Sequence, residues 1–158
     1  MADPMVSLEE LPREAASGHP RFNHVAMSVP AELLGDAGRA DIAQFYEEVF
    51  GWNELTMMTE PGQRMILMAY EYGQFVFLIA DENPMTAPRM DHFGMSVETE
   101  AEIDGFLARA KSFAAKDPRV HVIDKTVEDY GIGKIHSFYV GYLLPMMVEV
   151  QWFERVDS

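Results

Sequence analysis

His24 opens the segment His24-Val25-Ala26-Met27-Ser28-Val29, and His92 opens its near-copy His92-Phe93-Gly94-Met95-Ser96-Val97. The spacing exceeds the usual solenoid periods and reads as two copies of one module. Side chains alternate faces along a strand. His24, Ala26 and Ser28 therefore share one face, and His92, Gly94 and Ser96 share the matching one. Small residues beside each imidazole leave the room that a cavity needs. Further on, Met146-Met147-Val148-Glu149-Val150 sets a carboxylate among apolar neighbours. Burying that anion is costly unless it is paired or bound to a metal. By parity Met147, Glu149 and Gln151 face the same hollow, while Val148, Val150 and Trp152 turn away. Two imidazoles and one carboxylate form a ligand set suited to non-haem Fe(II), with Mn, Zn or Ni as other divalent candidates. Each residue alone has a plainer reading. A histidine at a strand start can be a hydrogen-bonded structural residue, and Glu149 can turn outward at a sheet edge.

The elements that must position these groups come in the same order twice. After a tail at 1–20, the first module, 21–82, opens with a strand at Phe22–Val29. A helix at Ala37–Phe50 follows, with Asp36 as N-cap and Gly51 as the C′ glycine. Its Ile42, Phe45, Tyr46 and Val49 make one buried stripe. Strands are predicted at Asn53–Met58, Met65–Tyr70 and Gln74–Ala80, split by Pro61-Gly62 and Glu71-Tyr72-Gly73. A linker at 83–89 leads to the second module, 90–158. There a strand at Met90–Val97 precedes a helix opened by the capping box Thr99-Glu100-Ala101-Glu102 and ending near Asp117-Pro118. Strands at Val120–Asp124, Lys134–Val140 and Met146–Phe153 complete it. The fold class is α+β: two βαβββ modules with curved mixed sheets around a cavity.

Composition narrows the function. A formal net charge of −14 over 158 residues argues against nucleic acid as a partner. No apolar run is long enough to span a bilayer, so no membrane partner is expected. Met1-Ala2-Asp3-Pro4 has neither a basic n-region nor an apolar h-region, so no secretory signal and a cytoplasmic location are expected. The chain has no cysteine, which restricts any metal to N and O ligands. A hydrophobic content of 48% is ordinary for a globular chain.

The module order, together with Phe45-Tyr46-Glu47-Glu48-Val49-Phe50-Gly51-Trp52, the two histidine strands and Phe138-Tyr139 leading to Glu149, resembles the vicinal oxygen chelate superfamily. That group includes glyoxalase I, bleomycin-resistance proteins, methylmalonyl-CoA epimerase and extradiol ring-cleaving dioxygenases. The resemblance covers about residues 21–155 and implies a glyoxalase-like fold with His24, His92 and Glu149 as metal ligands. Glyoxalases and epimerases of the group use a fourth protein ligand. The position answering Glu149 in the first module is Phe77, which cannot ligate. Three ligands imply an extradiol-type dioxygenase, an oxidoreductase, in which a small substrate chelates Fe(II) through adjacent oxygens. Tyr139 matches a tyrosine that ring-cleaving members use to hydrogen-bond a substrate oxygen. His121 and His136 are candidates for a second-sphere acid/base, with a structural role favoured for both. The family's usual turn before the last ligand is replaced by Tyr142-Leu143-Leu144-Pro145-Met146, whose apolar character suggests a covered surface in a homodimer. Two alternatives stay open: a metal-free ligand-binding or resistance protein, and a four-ligand glyoxalase- or epimerase-type lyase or isomerase.

Overall fold

The computed structural model describes residues 20–70 and 73–155. The expected tail, with His19, lies outside the described residues apart from Pro20. In chain order the elements are β1 (His24–Val29), a short 3₁₀ turn (Ala31–Leu34), α1 (Asp36–Phe50), β2 (Asn53–Glu54), β3 (Arg64–Tyr70) and β4 (Gln74–Ala80). The second half supplies β5 (His92–Val97), α2 (Glu100–Ala114), β6 (His121–Asp129), β7 (Gly133–Gly141) and β8 (Met147–Arg155). They form two four-stranded mixed sheets, ordered β1-β4-β3-β2 and β5-β8-β7-β6. In each, the histidine strand lies at an edge and runs parallel to the module's last strand. This is the βαβββ plan twice over.

α1 forms because Ile42, Phe45, Tyr46 and Val49 recur at helical spacing, and all four are fully buried. It stops at Gly51, whose φ of 73° lets its N–H turn back to the Glu47 carbonyl at 2.9 Å. Its N-cap is Gly35 rather than Asp36, because the 3₁₀ turn leads directly into the helix. That approach is close: a Cβ on Gly38 would collide with the backbone of Leu33. Gly38→Ala is therefore expected to destabilise the chain by about 1–3 kcal/mol, measured as a lowered urea midpoint at unchanged slope. α2 begins with the expected capping box. Thr99 Oγ1 accepts from the Glu102 N–H at 3.2 Å, and Glu102 Oε2 accepts from the Thr99 N–H at 2.9 Å.

Element bounds depart from the sequence reading most at the ends of β2, β6 and α2. Only Asn53 and Glu54 of the predicted Asn53–Met58 strand pair with β3, and residues 56–58 turn. β6 extends five residues beyond Asp124, because its polar end pairs with β7 through Thr126–Asp129. α2 stops at Ala114, short of Pro118.

The two modules meet through α1. Phe45 stacks on Tyr142 at 4.4 Å and meets Phe113 edge-on at 5.0 Å. The buried Tyr46 hydroxyl donates to the Tyr142 carbonyl at 3.0 Å, and burial pushes that phenol's pKa well up. Arg109 Nε donates to the Val49 carbonyl at 2.8 Å. Arg119 ties Asp41 to Asp117 and the Tyr142 hydroxyl, holding the Asp117 carboxyl well below the usual range. Of the Tyr142–Met146 segment, expected as a surface for another chain, Tyr142 packs on the chain's own first module, while Leu143, Pro145 and Met146 stay half-buried. Tyr142 and Leu144 are buried there.

Candidate metal and substrate site

Register fixes which side chains share a face. In the second sheet Gly94 and Tyr139 both lie opposite Glu149, and Met147 lies opposite His92. His92, Gly94, Glu149 and Tyr139 therefore sit together on the face away from α2. His92 Nε2 stands 3.3 Å from Glu149 Oε2, and the His92 ring meets Tyr139 edge-on at 5.1 Å. Glu149 is buried, and a Cβ on Gly94 would come within 3.5 Å of Glu149 Oε2. The carboxylate thus packs directly against β5 at Gly94.

A second contact sets the imidazole's tautomer. His92 Nδ1 lies 2.7 Å from the Met90 carbonyl oxygen, which can only accept. The Nδ1–H must donate to it, which in the neutral ring leaves the Nε2 lone pair facing Glu149. Two electron-rich groups aimed at each other at 3.3 Å call for a positive charge between them, either a proton or a metal ion. Metal–ligand bonds of about 2.1 Å at near right angles put two donors about 3 Å apart. Donor set, tautomer and spacing all fit a divalent cation. The Glu149 carboxylate beside the Tyr139 hydroxyl, with burial adding and Ser137 opposing, raises that phenol's pKa. Tyr139 is consequently a hydrogen-bond donor at neutral pH.

His24 stands in the other sheet. Its Nδ1 lies 2.7 Å from Asn23 Oδ1, leaving Nε2 outward in the same manner as His92. Its ring stacks on Phe77 at 4.9 Å. Ala26 lies opposite Phe77 just as Gly94 lies opposite Glu149, so Phe77 occupies the place that Glu149 holds in the second module. Among the described residues no three of His, Cys, Asp or Glu converge within one chain. The structure brings together His92, Glu149 and Tyr139; it does not bring His24 to them.

His136 lies on the opposite face from Tyr139, buried against Trp152, with Nε2 2.8 Å from Glu154 Oε2. It is part of the packing under the sheet. His121 shares Tyr139's face at the start of β6, and its Nε2 contacts the Arg89 guanidinium. The sequence reading missed Glu128 and Tyr130 at the far end of β6: the Tyr130 hydroxyl donates to Glu128, the Glu128 charge helps raise the Tyr139 pKa, and the Glu149 charge adds to the rise at Tyr130. Their signal was the overlooked extension of β6.

Solved structures share this architecture. Lactoylglutathione lyase from Agrobacterium tumefaciens superposes with a TM-score of 0.59 at 19% identity, covering 85% of this chain and 95% of that one. The fold is that of the vicinal oxygen chelate proteins. A glyoxalase/bleomycin resistance protein/dioxygenase from Alicyclobacillus acidocaldarius gives 0.56 at 16% identity, over 84% and 91% of the two chains. A fosfomycin resistance protein from Listeria monocytogenes gives 0.55 at 13% identity, over 85% and 93%. A mutant of the latter is complexed with Mn(II) and a dihydroxypropylphosphonic acid. No protein-family model and no curated protein matches the chain. At these identities the vicinal oxygen chelate likeness extends to the fold, which hosts several chemistries. No helix among the described residues is long and apolar enough to cross a membrane.

Proposed function

We propose that the chain is a divalent-metal enzyme acting on a small oxygen-chelating substrate, with His92 and Glu149 of one copy and His24 of the partner subunit as ligands. The observation that carries this reading is the His92 tautomer: Met90 fixes the Nδ1 proton, so a basic nitrogen meets a buried carboxylate. Ligating histidines characteristically donate their second nitrogen in this way. His24 Nδ1 likewise has an oxygen partner, here the Asn23 side chain.

A second copy is invoked because the two ligand-bearing faces are open. The modules join through α1, whereas His24, Ala26, His92 and Gly94 are exposed. β1 and β5 are both sheet edges, and edge strands are natural pairing sites. A symmetric dimer that sets β1 of one copy beside β5 of the other would form two equal bowls.

A bound divalent cation supplies Lewis acidity and open positions for substrate oxygens. Met90 and Asn23 orient the imidazoles, and Tyr139 donates a hydrogen bond to a substrate oxygen. Phe77 fills the fourth ligand's place with an apolar ring, leaving three protein ligands. That number favours Fe(II) and an extradiol-type dioxygenase reaction over a four-ligand lyase or isomerase. The test is to load metal-free protein anaerobically with Fe(II), then measure O₂ uptake with a panel of catechols. Near-stoichiometric binding and uptake are expected. Failure to bind removes the enzyme reading, and turnover that proceeds without O₂ transfers it to the lyase or isomerase class.

A further inference from the structure

The exposed face of the first sheet has a chemistry that the metal ligands do not explain. Ile66, Phe77, Ile79, Met57 and Met58 line a hollow of about 330 Å³ whose one charged lining side chain is Arg64. Ile79 and Met57 stay exposed at 46% and 73%, so the hollow keeps an apolar rim open to water. Arg64 Nε donates to the Met58 carbonyl at 2.9 Å, which fixes the guanidinium at the rim. Its two Nη groups have no carboxylate partner among the described residues. Four other cations are paired: Arg39 with Glu54, Lys111 with Asp124, Arg119 with Asp117 and Lys125 with Asp104. A chain with a net charge of −14 repels anions almost everywhere. Here it presents a cation at the edge of an apolar floor.

Strand register gives the scale. His24 lies opposite Phe75, which lies opposite Met68, four residues along β3 from Arg64. Two strand spacings across and four residues along put the Arg64 and His24 backbones roughly 16 Å apart. By register the two residues project from the same face of the sheet.

We infer that this face is the subsite for the body of the ligand, and that it selects molecules with an apolar ring or chain ending in a carboxylate, gripped by Arg64. The inference rests on the proposed enzyme reading for its meaning, because the hollow adjoins His24 through Phe77. A fork of two N–H donors suits a carboxylate, and charge-assisted bonds are the stronger kind.

The test compares 4-phenylbutyrate with 4-phenylbutyramide, which differ at the head group, by calorimetry at low salt. EDTA is present so that no metal can hold the acid. The natural chain is expected to bind the acid at least about 10-fold more tightly than the amide. Arg64→Met should bring the two to within about 2-fold while leaving the amide's affinity unchanged, and Arg64→Lys should restore part of the preference. Equal affinities in the natural chain, a preference that survives Arg64→Met, or failure of both probes to bind would overturn the inference. Mn(II) titration of the natural chain without EDTA reads the metal centre separately. A preference for the acid with no Mn(II) binding sinks the enzyme reading and leaves this subsite standing; Mn(II) binding with no preference does the reverse.

Discussion

Glu149→Gln protein is expected to bind Mn(II) about 100-fold or more weakly than the natural chain while keeping its fold. The glutamine has the same shape, so the buried position between Gly94 and Tyr139 stays filled. What it loses is the anion. Outer-shell changes at metal sites already cost about 10–100-fold, and removing a ligand's charge exceeds them. A calorimetric Mn(II) titration beside a urea melt separates the two effects. Unchanged affinity would show that Glu149 is not a metal ligand. The same substitution should also let the Tyr139 phenol titrate at lower pH, because the carboxylate is the largest influence holding its pKa up. A spectroscopic pH titration of tyrosinate reads that shift.

Mixing two dead variants is expected to recover metal sites. His24→Ala and His92→Ala should each abolish tight Mn(II) binding when pure. In a dimer that joins β1 of one copy to β5 of the other, a mixed pair holds one bowl lacking both histidines and one bowl with both. Random exchange makes half the dimers mixed, so about a quarter of the natural number of sites should return. No recovery after subunits are unfolded and refolded together would mean that the ligands come from one chain or that His24 is not one of them. Either result decides the composition of the site, which neither histidine can reveal alone.

Much of the architecture was legible because the chain repeats it. The two histidine hexapeptides aligned the modules, and that alignment matched Phe77 with Glu149 before any register was known. Parity then sorted His92, Glu149 and Tyr139 to one face and His136 to the other, as the pairing of β7 with β8 bears out. What the sequence left hidden is how the halves meet. A bowl built within one chain and a bowl built between two chains need the same strands with the same faces, so the pattern around His24 and His92 does not distinguish them. The Tyr142–Met146 segment is ambiguous for the same reason: apolar character looks alike whether the cover is α1, as for Tyr142, or another molecule. The far end of β6 was missed because Lys125, Glu128 and Asp129 are poor strand formers, and pairing with β7 overrides that preference. The Met90 carbonyl that sets the His92 tautomer is backbone, and carries no residue-type signal at all.

Because α1 of the first half is inserted against Tyr142, Phe113 and Arg109 of the second, the peptide between Asp81 and Pro88 is not what keeps the halves together. A protease nick in that connection would leave two fragments co-eluting in native buffer and parting only in denaturant. Separately expressed halves could then reconstitute by docking one aromatic ridge, with Tyr46 finding its carbonyl acceptor across the seam.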